Sequence, residues 1–232
     1  MRKLEAMGVK TAWDYASLPE TTVRMLFHLP GYRTWKELKG IPCIALEDMI
    51  EPRKSICVSR SFSKEITSLQ ELSEQVANFA ENAVTKLRGQ RSVALEIVVF
   101  AMTNRFKQDV PQAFSSSHVV IPDGTADHRT FIRHALEGCC DFYREGYGYK
   151  KAGVVITKLV QEEGFAHSLF SDMAALEKES RLSESIDSIH KAFGRGAVLL
   201  GSQGSGEIKM SRDHQSPHYT TLWGDIPKTS VH

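Results

Sequence analysis

The sequence lacks the long apolar runs that mark membrane proteins. No apolar stretch reaches the roughly 18 residues that identify a transmembrane helix. Met1 is followed by basic residues and not by the apolar core of a secretion signal. These absences argue against a membrane-spanning or secreted protein. They favour a globular protein of the cytoplasm.

Cysteine is scarce, and its spacing excludes the common metal patterns. The four cysteines are Cys43, Cys57, Cys139 and Cys140. They form no CxxC pair, the spacing that most structural zinc sites and dithiol redox sites share. Cys139 and Cys140 are adjacent within an apolar helical pattern. This usage predicts buried, reduced thiols and neither zinc ligands nor disulfides.

An excess of charge of one sign is also missing, since the formal net charge is +1. Residues 1–54 hold nine basic against seven acidic side chains, and residues 55–160 hold 13 against 11. Residues 161–232 hold seven against 10. A phosphate-binding surface must therefore be a local one, which folding assembles within the first two segments.

The first 54 residues predict short helices and a linker. Apolar residues recur at helical spacing on both sides of Gly8, which predicts two helices joined by a glycine hairpin. Pro42, Pro52 and several acidic residues then interrupt the periodicity. We therefore interpret residues 1–40 as helical and residues 41–54 as a linker.

From residue 55 the pattern alternates between strands and helices. Ser68 predicts a helix start and Gly89 its end. A second helix is predicted from Asp127, and a third, of mixed charge, ends at about Phe193. Strands are predicted at residues 56–62, 93–102, 117–122 and 150–160. The order βαββαβ predicts an α+β, ferredoxin-like domain whose four-stranded sheet is buried under two helices on one face and open on the other.

Three separated motifs resemble the UmuC-type branch of the Y family of translesion DNA polymerases. KLEAMGVKTAWDYASL resembles the thumb of that family, and SRSFSKEIT through KAGVVITKLV resembles its little finger. SPHYTTLWGDIP resembles the C-terminal domain of this branch. The resemblance implies a partial helix-hairpin-helix thumb, a linker, a little finger, a clamp-binding-like peptide and a C-terminal extension, at residues 1–40, 41–54, 55–161, 162–172 and 173–232.

The resemblance implies a part of a polymerase that holds DNA. Palm and fingers, whose carboxylates hold Mg²⁺ in that family, are not recognised in this sequence. Two-metal phosphoryl transfer requires several converging acidic oxygens. We therefore predict no catalytic residue, metal ligand or cofactor in this chain. We expect it to bind damaged DNA or primer-template in SOS repair, without extending DNA alone.

The expected DNA contacts are to the backbone and independent of base sequence. A glycine turn before a helix can point backbone N–H groups at a phosphate, although such a glycine is often only a helix stop. Arg60 should share the sheet side of Phe62 and escape at the strand edge, where it reaches a phosphate or caps the sheet. The candidates, each alternatively a solvated surface residue, are Gly8, Lys10, Thr11, Arg60, Ser61, Lys64, Arg105, Lys107, Lys150 and Lys151.

The peptide AHSLF at residues 166–170 resembles the peptide by which bacterial polymerases bind the sliding clamp. Only the last three residues of the peptide match that pattern. The candidate clamp-binding residues are therefore Ser168, Leu169 and Phe170. The resemblance further implies a UmuD′-type accessory subunit and a recombinase filament as partners. Two alternatives stay open. One is a non-catalytic regulator that binds the clamp or the polymerase's partners. The other is an RNA-binding module of the same element order, disfavoured because SICVSRS and SHVVIP contain no aromatic residue.

Overall fold

The chain divides into two compact units, Met1–Glu51 and Pro52–His232. The predicted division between residues 55–161 and 173–232 falls inside the second unit. The structure is a computed structural model, and it describes residues 2–44, 51–107, 109–168, 171–207, 216, 219–221 and 223–226.

The first unit contains three helices, as the apolar spacing predicts. Gly8 has a φ of 74°, which confirms the glycine hairpin between the first two. The third helix is kinked at His28, whose φ is 52°, two residues before Pro30. The kink explains why its sequence reads as two helical patterns. The helices are α1 (Arg2–Ala6), α2 (Ala12–Ala16) and α3 (Glu20–Leu38).

The second unit contains the predicted βαββαβ order, followed by a long helix. The strands extend one to four residues beyond their predicted ends, except at the start of β1. The elements are β1 (Ile56–Ile66), α4 (Leu69–Gly89), β2 (Ser92–Thr103), β3 (Phe114–Thr125), α5 (His128–Phe142), β4 (Tyr149–Gln161) and α6 (Met173–Phe193), with 3₁₀ helices at Gly201–Gln203 and Trp223–Asp225.

The four strands form one antiparallel sheet in the order β1-β4-β2-β3. Helix α4 joins the parallel strands β1 and β2, which are separated by β4. Helix α5 joins β3 and β4, which are separated by β2. Each helix therefore completes a split βαβ unit, and the predicted α+β fold is confirmed.

The two connecting helices begin at the predicted caps and bury their apolar faces against the sheet. The Ser68 side chain accepts a hydrogen bond from the Glu71 backbone N–H at 3.3 Å, and Asp127 accepts one from Thr130 at 2.8 Å. Phe62 of β1 stacks with Phe79 of α4 at 6.2 Å. Burial of each such side chain stabilises the fold by about 1.5–3 kcal/mol. The buried apolar positions of α4 include Leu72, Val76, Phe79, Ala83 and Leu87.

The C-terminal segment forms a third layer on the outer side of α4 and α5. Arg88 of α4 forms an ion pair with Asp187 of α6, with 2.6 Å between Nε and Oδ2. Asn78 and Gln203 exchange side-chain and backbone hydrogen bonds at 3.0 and 3.2 Å. The described part of the extension therefore contacts the helices and not the other face of the sheet.

All four cysteines are free thiols, but the predicted burial is right for one of them only. Cys139 is buried in α5, and burial raises the pKa of its thiol to about 12. Cys140 is exposed, because adjacent helical residues point about 100° apart. Cys57 is exposed and Cys43 is half-buried.

Within the described ranges, no helix combines the length and apolar character that crossing a membrane requires.

Candidate nucleic-acid interface

The sheet has one buried and one open face because side chains alternate along each strand. On the buried face, Val99 of β2 and Val154 of β4 are fully covered by the helices. Their neighbours Val98, Phe100 and Val155 point to the other side and are half-buried. The described helices of the second unit therefore cover one face of the four strands and leave the side chains of the other face partly exposed.

Strand register assembles a row of residues across this open face. Ser61 of β1 is paired with Lys151 of β4, and Lys151 is also paired with Met102 of β2. Met102 is in turn paired with Phe114 of β3. The row lies near one end of the sheet and places an ammonium group on a central strand.

Seven of the ten predicted DNA-binding residues gather at this end of the sheet. Tyr149 begins β4 and is paired with both Ile66, at the end of β1, and Thr103, at the end of β2. The end of β1, the start of β4 and the turn after β2 are therefore neighbours. We call this group the basic end; it consists of Arg60, Ser61, Lys64, Arg105, Lys107, Lys150 and Lys151.

The basic side chains of the basic end differ in whether they already form an ion pair or a hydrogen bond within the protein. Lys107 forms an ion pair with Glu65 at 2.8 Å. Lys150 donates a hydrogen bond from its ammonium group to the backbone oxygen of Ser63 at 2.9 Å. The basic end has four other basic residues, which form no ion pair with a carboxylate in the described part of the chain. They are Arg60, Lys64, Arg105 and Lys151. These four keep an uncompensated charge for a phosphate group.

Arg60 lies where its sequence neighbours predict. It is paired with the buried Ala152 and therefore shares the helix side of the sheet with Phe62. Because β1 is an edge strand, the side chain reaches solvent and is exposed. Its guanidinium donates to the backbone oxygen of Ser59 at 3.1 Å. The other donors of this forked group are available for a phosphate.

The open face also carries an aromatic pair that the sequence interpretation missed. Phe100 and Phe114 stack with their ring centres 6.0 Å apart, and Phe114 is 61% exposed. Phe114 lies before the predicted start of its strand. Phe100 lies in a continuous apolar run, in which periodicity does not distinguish the two faces. Period-2 alternation counted back from Ser116 would have placed Phe114 on the open face.

The Gly8 hairpin differs from its predicted phosphate-binding mode. The backbone N–H groups of Gly8 and Val9 donate to Glu5 and Leu4 at 3.0 Å. Those of Lys10 and Thr11 donate to one carboxylate oxygen of Asp14, at 3.0 and 2.9 Å.

The Asp14 carboxylate therefore already accepts from two backbone N–H groups that could otherwise donate to a phosphate. The backbone hydrogen bonds from Lys10 and then Thr11 are the largest causes that lower the pKa of Asp14. The Thr11 side chain accepts from the Asp14 N–H at 3.1 Å and completes a capping box. The spacing of Thr11 and Asp14 is the signal that would have identified it. The DNA contacts predicted at Gly8, Lys10 and Thr11 stay predictions; the Lys10 side chain is exposed, and the Thr11 hydroxyl keeps a proton to donate.

Most of the candidate clamp peptide falls outside the described residues. Leu169 and Phe170 are not described, and Ser168 is exposed and accepts a hydrogen bond from the Ser171 backbone at 3.1 Å. Just before them, His167 contacts the ring of Phe165 and the backbone oxygen of Asp123. Clamp binding therefore stays a prediction from sequence.

Across the residues that the structure describes, no three His, Cys, Asp or Glu side chains are grouped so that they could hold a metal ion.

The chain matches known proteins along most of its length. The impB/mucB/samB family C-terminal domain matches residues 53–169, which include the whole sheet. A domain of unknown function, DUF4113, matches residues 180–228.

Individual relatives are similar to the chain from end to end. The UmuC protein of Salmonella typhimurium is 32% identical over 226 residues, which are 97% of this chain and 54% of that protein. The SamB protein of Salmonella typhimurium is 33% identical, over 99% of this chain and 54% of that protein. The MucB protein of Escherichia coli is 30% identical over the same shares. The chain thus spans about half the length of the curated relatives that it matches. It belongs to the impB/mucB/samB family, as its resemblance to UmuC-type proteins predicts.

Proposed function

We propose that this chain holds primer-template DNA for an error-prone translesion polymerase that acts in SOS DNA repair. The DNA lies along the open sheet face, and the basic end binds its phosphates. The observation that carries this proposal is a set of four cations that form no ion pair among the described residues and lie at the end of a sheet face that the described helices do not cover, namely Arg60, Lys64, Arg105 and Lys151.

The chemistry of the basic end suits a template of any sequence. Arginine and lysine contacts with phosphate oxygens position a protein on DNA but carry no base information. A polymerase that crosses damaged bases benefits from such contacts, because a lesion changes the base and leaves the backbone charge in place. Ser61 adds a hydroxyl donor in the same row as Lys151.

A binding titration with two duplexes of equal length and unrelated sequence tests this function. The intact chain is expected to bind both with affinities that agree within about threefold, since phosphate contacts dominate. Failure to bind either duplex at low salt would contradict the proposal. A preference of several orders of magnitude for one sequence would do the same, because it requires base-edge contacts.

Catalysis is not part of the proposed role of this chain. In the family, Mg²⁺ belongs to a palm, and no segment resembling a palm is recognised here. We expect no nucleotide incorporation by the chain alone in a primer-extension assay with Mg²⁺ and all four nucleotides. Metal-dependent extension by the purified chain would overturn this expectation.

A clamp-binding regulator is the second function to be tested. It rests on Leu169 and Phe170, whose aliphatic and aromatic side chains resemble clamp-peptide anchors. Changing both to Ala is expected to abolish retention on immobilised sliding clamp while DNA affinity stays constant. Unchanged retention would remove this candidate. An accessory UmuD′-type subunit and a recombinase filament remain further proposed partners.

The aromatic pair of Phe100 and Phe114 is an observation in favour of the alternative RNA-binding role. Phe100 lies mid-strand on the open face, the position from which RNA modules of this element order stack bases. Family membership favours DNA, and comparing single-stranded RNA with DNA of the same sequence discriminates the two. Binding of RNA at least tenfold tighter than DNA would favour the RNA module.

A further inference from the structure

The turn after β2 holds an almost fully exposed aromatic ring between two cations. Phe106 is 96% exposed, and its neighbours Arg105 and Lys107 are both exposed. A single exposed apolar side chain is common on protein surfaces. What distinguishes Phe106 is how the surrounding turn is held and where it lies.

The backbone of this turn is braced by two side-chain amides. The Asn104 side-chain oxygen accepts a hydrogen bond from the Phe106 N–H at 3.1 Å. The Gln112 amide nitrogen donates to the backbone oxygens of Asn104 and Lys107, at 3.1 and 2.6 Å. The Gln112 oxygen accepts from the Thr103 hydroxyl at 3.0 Å. These hydrogen bonds hold the backbone of residues 104–107, from which the Phe106 ring projects.

An ion pair also ties the turn to the far edge of the sheet. Glu65 of β1 lies against Gly148, where a Cβ would be 2.9 Å from its Oε2, and its carboxylate pairs with Lys107 at 2.8 Å. This contact bridges β1 and the turn after β2. Lys107 therefore acts as an anchor of the turn, while Arg105 and Phe106 are left to solvent.

We propose that Phe106 stacks on an unpaired base of single-stranded DNA while Arg105 contacts a phosphate of the same strand. This inference rests on the proposed DNA-binding function. It specifies that this end of the sheet contacts a single-stranded part of the DNA. The turn is continuous with the basic end, whose charge complements a nucleic acid. Stacking on an aromatic ring suits any base, because each base has a π-face.

An unpaired base fits the ring better than a duplex does. Inside a duplex both faces of each base are covered by its neighbours, so insertion of a ring costs a few kcal/mol of unstacking per step. Proteins that insert such wedges recover this cost through a large bent interface. A single ring on a narrow turn forms too small an interface to offset the free-energy cost of unstacking. Stacking on an unpaired base does not carry this cost.

Competition between two DNA ligands tests the inference. The first is a duplex with a short single-stranded overhang, and the second is the same duplex with an abasic overhang. We expect F106A to weaken binding of the first at least about fivefold. Binding of the abasic ligand and of a blunt duplex should not change, and F106W should restore the loss. Phe193, which is 80% exposed at the end of α6, supplies the matched control F193A, expected to bind like the wild type.

The outcomes separate this inference from the proposed function. No binding of any DNA by the wild-type chain overturns both. Blunt-duplex binding together with equal overhang affinities of wild type and F106A overturns the stacking inference alone. An equal loss on the intact and abasic overhangs also overturns it, because the ring would then contact the backbone or the duplex. Quenching of F106W fluorescence by the intact overhang, and not by the abasic one, supports it.

Discussion

The ring of Phe100 lies against Gly153 across two neighbouring strands. A Cβ on Gly153 would be 2.9 Å from Cε1 of Phe100 and 2.4 Å from the Cβ of Ser59. Such distances are too short for a side chain, so only glycine admits the ring at this position. Phe100 then stacks on Phe114 and forms the aromatic centre of the open face.

Gly153→Ala is therefore expected to destabilise the second unit by about 1–3 kcal/mol, the range for forcing extra atoms into a packed site. The Val58 backbone oxygen, 2.8 Å from the added Cβ, cannot rotate away as a side chain would. Urea unfolding followed by circular dichroism measures the change.

The control for this substitution is Gly89→Ala at the end of α4. No atom lies within 4 Å of a Cβ added there, and alanine is the better helix former. G89A should be as stable as the wild type or more so. A G153A variant as stable as G89A would contradict the close packing of Phe100.

A buried histidine joins three helices of the second unit and should make its stability depend on pH. The ring of His128 is 2.8 Å from Glu81 of α4 and 3.1 Å from Asp187 of α6. Burial alone would lower the pKa of His128, but hydrogen bonds and charges from Glu81 and Asp187 outweigh it and raise the pKa above 6.5. Arg88, bound to Asp187, and His190, 3.9 Å from Glu81, also face this group.

The raised pKa fixes the direction of the pH effect. The folded state holds the His128 proton more tightly than the unfolded chain, so this stabilisation is complete below about pH 6.5. It is lost as the pH rises through the folded-state pKa. The difference in unfolding free energy between wild type and H128Q should therefore shrink as the pH rises above about 6.5. H190Q should retain the dependence, and a difference constant with pH would disprove the assignment.

The amide pair between Asn78 and Gln203 should hold the C-terminal layer on α4. Both side chains are buried, and Gln203→Ala leaves the Asn78 oxygen without its donor. The expected loss is about 1–3 kcal/mol, with faster proteolysis of residues 194–207. Gln70, exposed on the same helix, supplies the control Q70A, which should change stability by less than about 0.5 kcal/mol. Equal stability of Q203A and Q70A would show that the pair does not hold this layer.

The sequence predicts the local elements well, because each has a local cause. The helical spacing of apolar residues from Leu69 and the cap at Ser68 predict α4. Strand β3 is predicted at residues 117–122 but begins at Phe114. Ser115, Ser116 and Ser117 put serines on both faces of the strand at that end, so its apolar alternation is lost there.

Contacts between distant segments are what the sequence does not predict. The pairing of Ser61 with Lys151 depends on the order of strands in the sheet. The bond between His128 and Asp187 depends on how α6 packs against α5. Asp14 accepts from the N–H groups of Lys10 and Thr11, which is a local contact that the capping-box spacing of Thr11 and Asp14 would have predicted.

The salt dependence of DNA binding tests the central claim most directly. Each true phosphate contact contributes about 0.9 to the slope of log affinity against log salt concentration. The double variant R60A/K151A should therefore flatten the slope by about 1.8. K178A, which removes an exposed charge from α6, should keep the wild-type slope. Equal slopes for all three proteins would contradict the claim that the basic end holds DNA.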